Sequence, residues 1–184
     1  MIPGIFLDRD GVIIENRAEY VRSWDDVHIY PQALTALAKI RNLPLRIVIV
    51  TNQSAIGRGI ITHNQATEIN QRLLYEIHKT GGRIDKVYMC PHAPRDNCEC
   101  RKPRPGLVYQ AARELDIELT RSILIGDTLT DLQAGIAANL KRVALVKTGR
   151  GETQMNLPEA RALPPFPIYS DLMEALSVLV VKLL

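Results

Sequence analysis

Only three cysteines, one tryptophan and two phenylalanines occur among the 184 residues. The chain also has no internal repeat, no low-complexity tract, no interdomain linker and no basic run interleaved with aromatics. Three cysteines cannot pair fully, which excludes a disulfide-built scaffold. Charge of neither sign dominates: 23 Lys and Arg against 20 Asp and Glu leave a net +3. Without a basic stripe, nucleic acid is not expected as a partner. The apolar stretch LMEALSVLVVKLL, from Leu172, is far shorter than the ~20 residues that a membrane span requires. It is expected to form a buried terminal helix, with no membrane association. The opening MIPGIFLDRDG carries acidic residues within its first ten, so no secretory leader is expected, and the expected location is the cytoplasm.

What remains is an ordinary globular composition, 46% hydrophobic, in a length that suits one domain over residues 1–184. Apolar runs of strand length alternate with helical patterns. GIFLD, LRIVIVTN, IDKVYMC, SILIGD, RVALVKTG and the start of PIYSDLMEALSVLV read as strands. Helical spacing marks PQALTALAKIRN, with Pro31 in its first turn, and THNQATEINQRLLYEIHKTGG, capped by Thr62 and stopped at Gly81-Gly82. RPGLVYQAARELDI, LTDLQAGIAANL and the end of PIYSDLMEALSVLV read the same way. The alternation predicts an α/β fold: a Rossmann-like, doubly wound parallel sheet with helices on both faces. Residues 149–167, with four prolines, are expected to be irregular surface.

Such sheets bind ligands at the carboxyl ends of their strands. The first strand ends in Asp8-Arg9-Asp10-Gly11, the second in Thr51-Asn52-Gln53 and the fourth in Gly126-Asp127. The third runs into a loop that holds every cysteine and then reaches Arg101-Lys102. Asp8, Asp10 and Asp127 repel one another unless a cation sits among them, and a hard ion such as Mg²⁺ suits carboxylate oxygens and engages phosphate. Thr51, Asn52 and Lys102 add hydroxyl, amide and ammonium donors for a phosphoryl group. Together they fit phosphoryl transfer with an aspartate nucleophile. A lone D-x-D is more often a solvated turn; such elements at successive strand ends argue for chemistry. Cys90, His92, Cys98 and Cys100 make a Cys₃His set, the ligand count of a closed structural Zn²⁺ site that leaves no position for substrate. Zinc there would order the loop at residues 90–100 and so fix where Arg101 and Lys102 project. His28, His63 and His78 have no partners that suggest catalysis, and Trp24 reads as an anchor for the first loop.

The segments FLDRDGVI, VTNQS, CRKPRPG and IGDTLTDLQAG resemble, in order, the four motifs of the haloacid dehalogenase superfamily of phosphatases. The cysteine loop and TNQSAIGRG resemble its branch acting on heptose 1,7-bisphosphate. The five residues between His92 and Cys98 resemble the histidinol-phosphate branch. The resemblance implies a Mg²⁺-dependent phosphatase in nucleotide-activated heptose biosynthesis, releasing the C7 phosphate through an aspartyl-phosphate. Histidinol phosphate is the alternative substrate. Asp8 resembles the nucleophile and Asp10 the general acid and base. Mg²⁺ would be held by Asp8, the Asp10 carbonyl and Asp127. Thr51 and Lys102 would steady the transferring group, with Asn52, Gln53 and Ser54 beside them. Arg101 matches a substrate-recognition arginine, and Arg17, Glu19 and Tyr20 fall in a substrate-contacting segment. Thr128 stands where relatives carry a lysine. The first and second strands are separated by too little chain for a large cap domain. The expected partner is a small phosphorylated sugar, and the expected state a monomer. Two rivals from other classes are a zinc-stabilised binding module and a receiver-like domain that keeps its phosphoryl group.

Overall fold

The computed structural model describes residues 1–182. Six strands form one sheet: β1 (Gly4–Leu7), β2 (Arg46–Asn52), β3 (Lys86–Cys90), β4 (Ile123–Gly126), β5 (Arg142–Val146) and β6 (Ile168–Tyr169). All pair in parallel, in the order β3-β2-β1-β4-β5-β6. The central strands β1 and β4 are buried at every position, which is why they read as unbroken apolar runs rather than alternating ones. Successive side chains still point to opposite faces. Ile5, Leu7, Ile47, Ile49, Ile123 and Ile125 pack in one core; Phe6, Val48, Val50 and Leu124 pack in the other.

Helices α1 (Pro31–Ile40), α3 (His63–Lys79) and α7 (Leu172–Leu179) cover the first core. Helices α4 (Gly106–Leu115) and α5 (Leu129–Ala137) cover the second. Pro31 opens α1, where its missing N–H costs nothing. Thr62 and Gln65 cap α3 reciprocally: Gln65 N donates to Thr62 Oγ1 (3.2 Å) and Thr62 N to Gln65 Oε1 (2.8 Å). Trp24, in the loop after β1, lies under the Arg72 guanidinium of α3 (4.7 Å), which anchors that loop.

Two local features differ from expectation. Ser54–Gly57 forms a single helical turn, α2, directly after β2. Residues 149–167 are not irregular: they hold a turn of helix, α6 (Gly151–Gln154), and a 3-10 helix at Pro158–Ala162. Pro158 starts that 3-10 helix instead of breaking it, and Ala160 is buried in the second core. After α7 the chain continues as a 3-10 turn to Lys182 with Val181 exposed, so the apolar terminal stretch is buried on one side only. Its last two residues lie outside the described ones. Among the described residues, no helix is long and apolar enough to cross a membrane. Between β1 and β2 the chain is used by a loop and α1, and between β2 and β3 by α2 and α3, so no large cap domain covers the strand ends.

Candidate active site

Parallel pairing brings the ends of β1 and β4 level: Leu7 lies beside Ile125, and Asp8 N donates to Ile125 O (3.0 Å). Asp8 and Asp127 therefore leave adjacent strands at the same height. A third carboxylate joins them. Asp131, in the first turn of α5, places a carboxylate oxygen within 4.8 Å of theirs, and all three residues are buried. It was not among the residues expected from the sequence. Lys102 enters from the cysteine loop and points its ammonium at Asp8 Oδ1 (2.9 Å), Asp131 Oδ1 (2.5 Å) and Val50 O (2.7 Å).

Three buried carboxylates against one ammonium leave negative charge unbalanced. Burial pushes the Asp8 carboxyl up to about 7, against the pull of Lys102 and with repulsion from Asp131 and Asp10. Burial, then Asp8 and Asp131, push Asp127 up to about 8. Burial works against the Lys102 ammonium too, yet Asp131 and Asp8 hold its pKa above the ordinary value. Asp127 Oδ1 is buried with no hydrogen-bond partner, while Asp127 Oδ2 accepts from Arg150 N (2.8 Å). An orphaned carboxylate oxygen amid excess negative charge is a donor set that fits a hard divalent cation.

Two glycines crowd Asp127. A Cβ on Gly11 would lie 2.0 Å from Asp127 Oδ2, and one on Gly149 would lie 2.2 Å from it. Both have positive φ, +87° and +63°, which glycine adopts without strain. The two loops are tied together where Thr148 Oγ1 donates to Gly11 O (2.6 Å).

The residues at the end of β2 and directly after it are engaged with the site itself. Asn52 grips the Lys102 backbone from both ends: Lys102 N donates to Asn52 Oδ1 (3.0 Å), and Asn52 Nδ2 donates to Lys102 O (3.1 Å). Gln53 Nε2 donates to Thr51 Oγ1 and to Asp10 Oδ2, each at 2.9 Å. Ser54 Oγ accepts from Arg101 Nη1 (2.8 Å), which also donates to His92 O (3.2 Å).

A cavity of about 310 Å³ is lined by Asp8, Asp10, Asp127 and Asp131 together with Arg17, Arg58, Arg101, Lys102 and Arg150, while Thr51 and Gln53 are buried and do not line it. Tyr20 and Thr128 also line it. Tyr20 holds φ at 67°, the left-handed region that a tyrosine enters at a cost of roughly 1–2 kcal/mol. Glu19 is not among the lining residues; its exposed carboxylate pairs with Arg22 instead (3.1 Å).

The cysteine loop forms a compact cluster of four donors. Cys90 Sγ lies 3.6 Å from Cys98 Sγ, 3.1 Å from Cys100 Sγ and 3.6 Å from His92 Nδ1. Cys100 Sγ lies 3.4 Å from Cys98 Sγ and 3.3 Å from His92 Nδ1. A zinc ion with bonds of about 2.3 Å to sulfur would place its tetrahedral neighbours roughly 3.8 Å apart. The cluster is tighter, most at Cys90 and Cys100, whose sulfurs would have to part by about 0.7 Å to hold the ion. None of the cysteines is in a disulfide. Burial pushes the Cys90 and Cys100 thiols up, so a cation is needed to hold them as thiolates.

A family model described as HAD-hydrolase-like matches residues 99–175. A D-glycero-beta-D-manno-heptose-1,7-bisphosphate 7-phosphatase from Yersinia pestis is 36% identical over 159 residues, covering 83% of this chain and 84% of that protein. Its namesake from Bordetella bronchiseptica is 37% identical over 158 residues, covering 84% and 88%. The crystal structure of the D,D-heptose 1,7-bisphosphate phosphatase from B. bronchiseptica, complexed with magnesium and phosphate, matches with a TM-score of 0.88 at 33% identity, over 98% of this chain and 99% of that one. With a parallel sheet that carries these acids at its strand ends, the chain belongs to the haloacid dehalogenase-like hydrolases, beside the heptose-bisphosphate phosphatases, and is a phosphoric monoester hydrolase.

Proposed function

We propose that the chain, acting as one domain, is a Mg²⁺-dependent phosphatase that releases the C7 phosphate of D-glycero-D-manno-heptose 1,7-bisphosphate. This reaction belongs to the making of nucleotide-activated heptose. The observation that carries the reading is the meeting of Asp8, Lys102 and the orphaned Asp127 Oδ1 at one strand edge. The Asp8 carboxylate attacks phosphorus, and the bond from phosphorus to the sugar oxygen breaks. Asp10 gives that oxygen its proton. Asp10 then takes a proton from water, which attacks the aspartyl-phosphate and frees Asp8 and inorganic phosphate. Thr51 and Lys102 hold the transferring oxygens. Asp8, the Asp10 carbonyl and Asp127 would hold Mg²⁺, which would neutralise charge beside the phosphoryl group. Cys90, His92, Cys98 and Cys100 would hold Zn²⁺, which would keep the Arg101-Lys102 segment in place. Asn52 and Gln53 act here by holding Lys102, Thr51 and Asp10, and Ser54 by holding Arg101. Turnover of the beta anomer named for the relatives, compared with the alpha anomer and with histidinol phosphate, tests the substrate. A preference for histidinol phosphate would overturn it.

Purified protein should contain about one zinc per chain, held by four ligands, and should need added Mg²⁺ for turnover. Metal analysis and phosphate release after mild chelation check this. Activity that survives Mg²⁺ removal and disappears only with zinc would place the chemistry at the cysteine loop.

Arg101 has donors left after binding Ser54 and His92, and its planar fork matches the oxygens of a phosphate. It grips the phosphate that is not cleaved. Arg101→Ala should lower kcat/KM on the bisphosphate by about tenfold to a hundredfold, the loss of one charge-assisted contact. A small phosphate ester has no second phosphate to lose and should be affected far less. Equal losses on both substrates would assign Arg101 to the reacting phosphate or to the fold.

A further inference from the structure

Arg9 lies between the two aspartates of the first strand end, yet it does not line the cavity. It is among the largest fully buried side chains, with 1% of its surface exposed. A guanidinium out of water is tolerated only where its donors are matched. Its Nε donates to Asp10 Oδ2 (3.1 Å), and its Nη2 donates to Asp10 Oδ1 (3.1 Å). Nη1 donates to Asn70 Oδ1 (2.8 Å), a buried residue of α3. The fork sets the plane of the Asp10 carboxylate, and Asn70 braces the fork from behind. Gln53 Nε2 adds a second donor to Asp10 Oδ2 (2.9 Å), so that oxygen is saturated while Oδ1 holds one donor. Asp10 itself reaches the cavity.

We propose that Arg9, braced by Asn70, is a positioning residue: it fixes the Asp10 carboxylate so that Oδ1 meets the departing oxygen. The inference rests on Asp10 being the general acid. Its purpose is geometric. A carboxylic acid on a freely turning side chain meets a leaving oxygen in only a fraction of its rotamers, and a planar fork removes that freedom. A lysine could supply the charge but not the plane. The partner on α3 also explains why a polar asparagine sits on that helix's buried face.

Leaving-group dependence separates positioning from a purely structural role. An alkoxide leaves badly without a proton, whereas p-nitrophenolate leaves unprotonated. The constant to compare is kcat/KM, which excludes the later hydrolysis of the aspartyl-phosphate, where Asp10 acts regardless of leaving group. Arg9→Met should lower kcat/KM on heptose bisphosphate by about 10²-fold, within the range of general acid catalysis. The same change should cost p-nitrophenyl phosphate less than about fivefold, since little acid catalysis is lost there. Arg9→Lys should fall between wild type and Arg9→Met on the sugar. Asn70→Ala keeps every group of the site and should show the same selectivity in weaker form, about threefold to tenfold. It decides the matter if Arg9→Met does not fold. Asp10→Asn is the reference. If Asp10→Asn penalises both substrates alike, the general acid is misassigned and the proposal falls with it. If Asp10→Asn discriminates but the Arg9 and Asn70 variants hurt both substrates equally, or neither, then Arg9 serves the fold alone and the proposal is overturned.

Discussion

Asp8→Asn should yield a folded, zinc-loaded protein whose kcat is lower by at least about 10⁴-fold, the scale of losing a nucleophile. The substitution changes almost no volume, and an amide does not attack phosphorus. Nor should it cost stability. Burial has already pushed the Asp8 carboxyl up to about 7, which means the fold disfavours its charged form. Removing that charge relieves repulsion with Asp127 and Asp131, although Lys102 loses one partner. Phosphate release and a thermal melt, run on the same preparation, separate the two effects. More than about a tenth of wild-type activity would be incompatible with Asp8 as nucleophile, whatever the melt shows.

Lys102→Met should be the most destabilising change at the site, by about 3–5 kcal/mol, the penalty for removing one partner from a buried ion pair. Exposed pairs such as Lys79 with Glu76 are worth about 0–1 kcal/mol by contrast. Lys102 is 3% exposed and is the only ammonium that faces the three carboxylates among the described residues, and without it Val50 O also loses a donor. Methionine keeps the volume, so the loss reports charge and hydrogen bonding rather than a cavity. Urea unfolding with and without Mg²⁺ measures it. Added Mg²⁺ should restore part of the stability, and more in the variant than in wild type, because a cation that binds only the folded state stabilises it. A difference below about 1 kcal/mol would show that the three acids are not charged together. Turnover should fall as well, since the transferring phosphoryl group loses its ammonium.

Much of this was legible in the sequence because a parallel sheet writes itself as buried runs. GIFL and ILIG are strands with both faces covered, so their polar successors, Asp8 and Asp127, mark the edge where ligands bind. The single turns were not legible. Four residues at Ser54–Gly57 or Gly151–Gln154 show no helical period, and prolines near the second suggested irregular chain where Pro158 starts a 3-10 helix. Asp131 escaped for a different reason. An acid in the first turn of a helix looks like a cap, and its Oδ2 does accept from Thr128 N (3.1 Å). The signal was present in its spacing: four residues after Asp127, it returns to the same edge one turn later. The tasks of Asn52, Gln53 and Arg9 depend on partners 50, 43 and 61 residues away, which only the strand order brings together.

The lack of a side chain at Gly11 and Gly149 has a consequence for substitution at this edge. A Cβ at either position would lie 2.0 or 2.2 Å from Asp127 Oδ2. A carboxylate is a rigid triangle, so an atom that displaces Oδ2 also swings Oδ1, the oxygen without a partner. A single methyl group on either loop would therefore disturb the acid edge, although neither residue carries a functional group of its own.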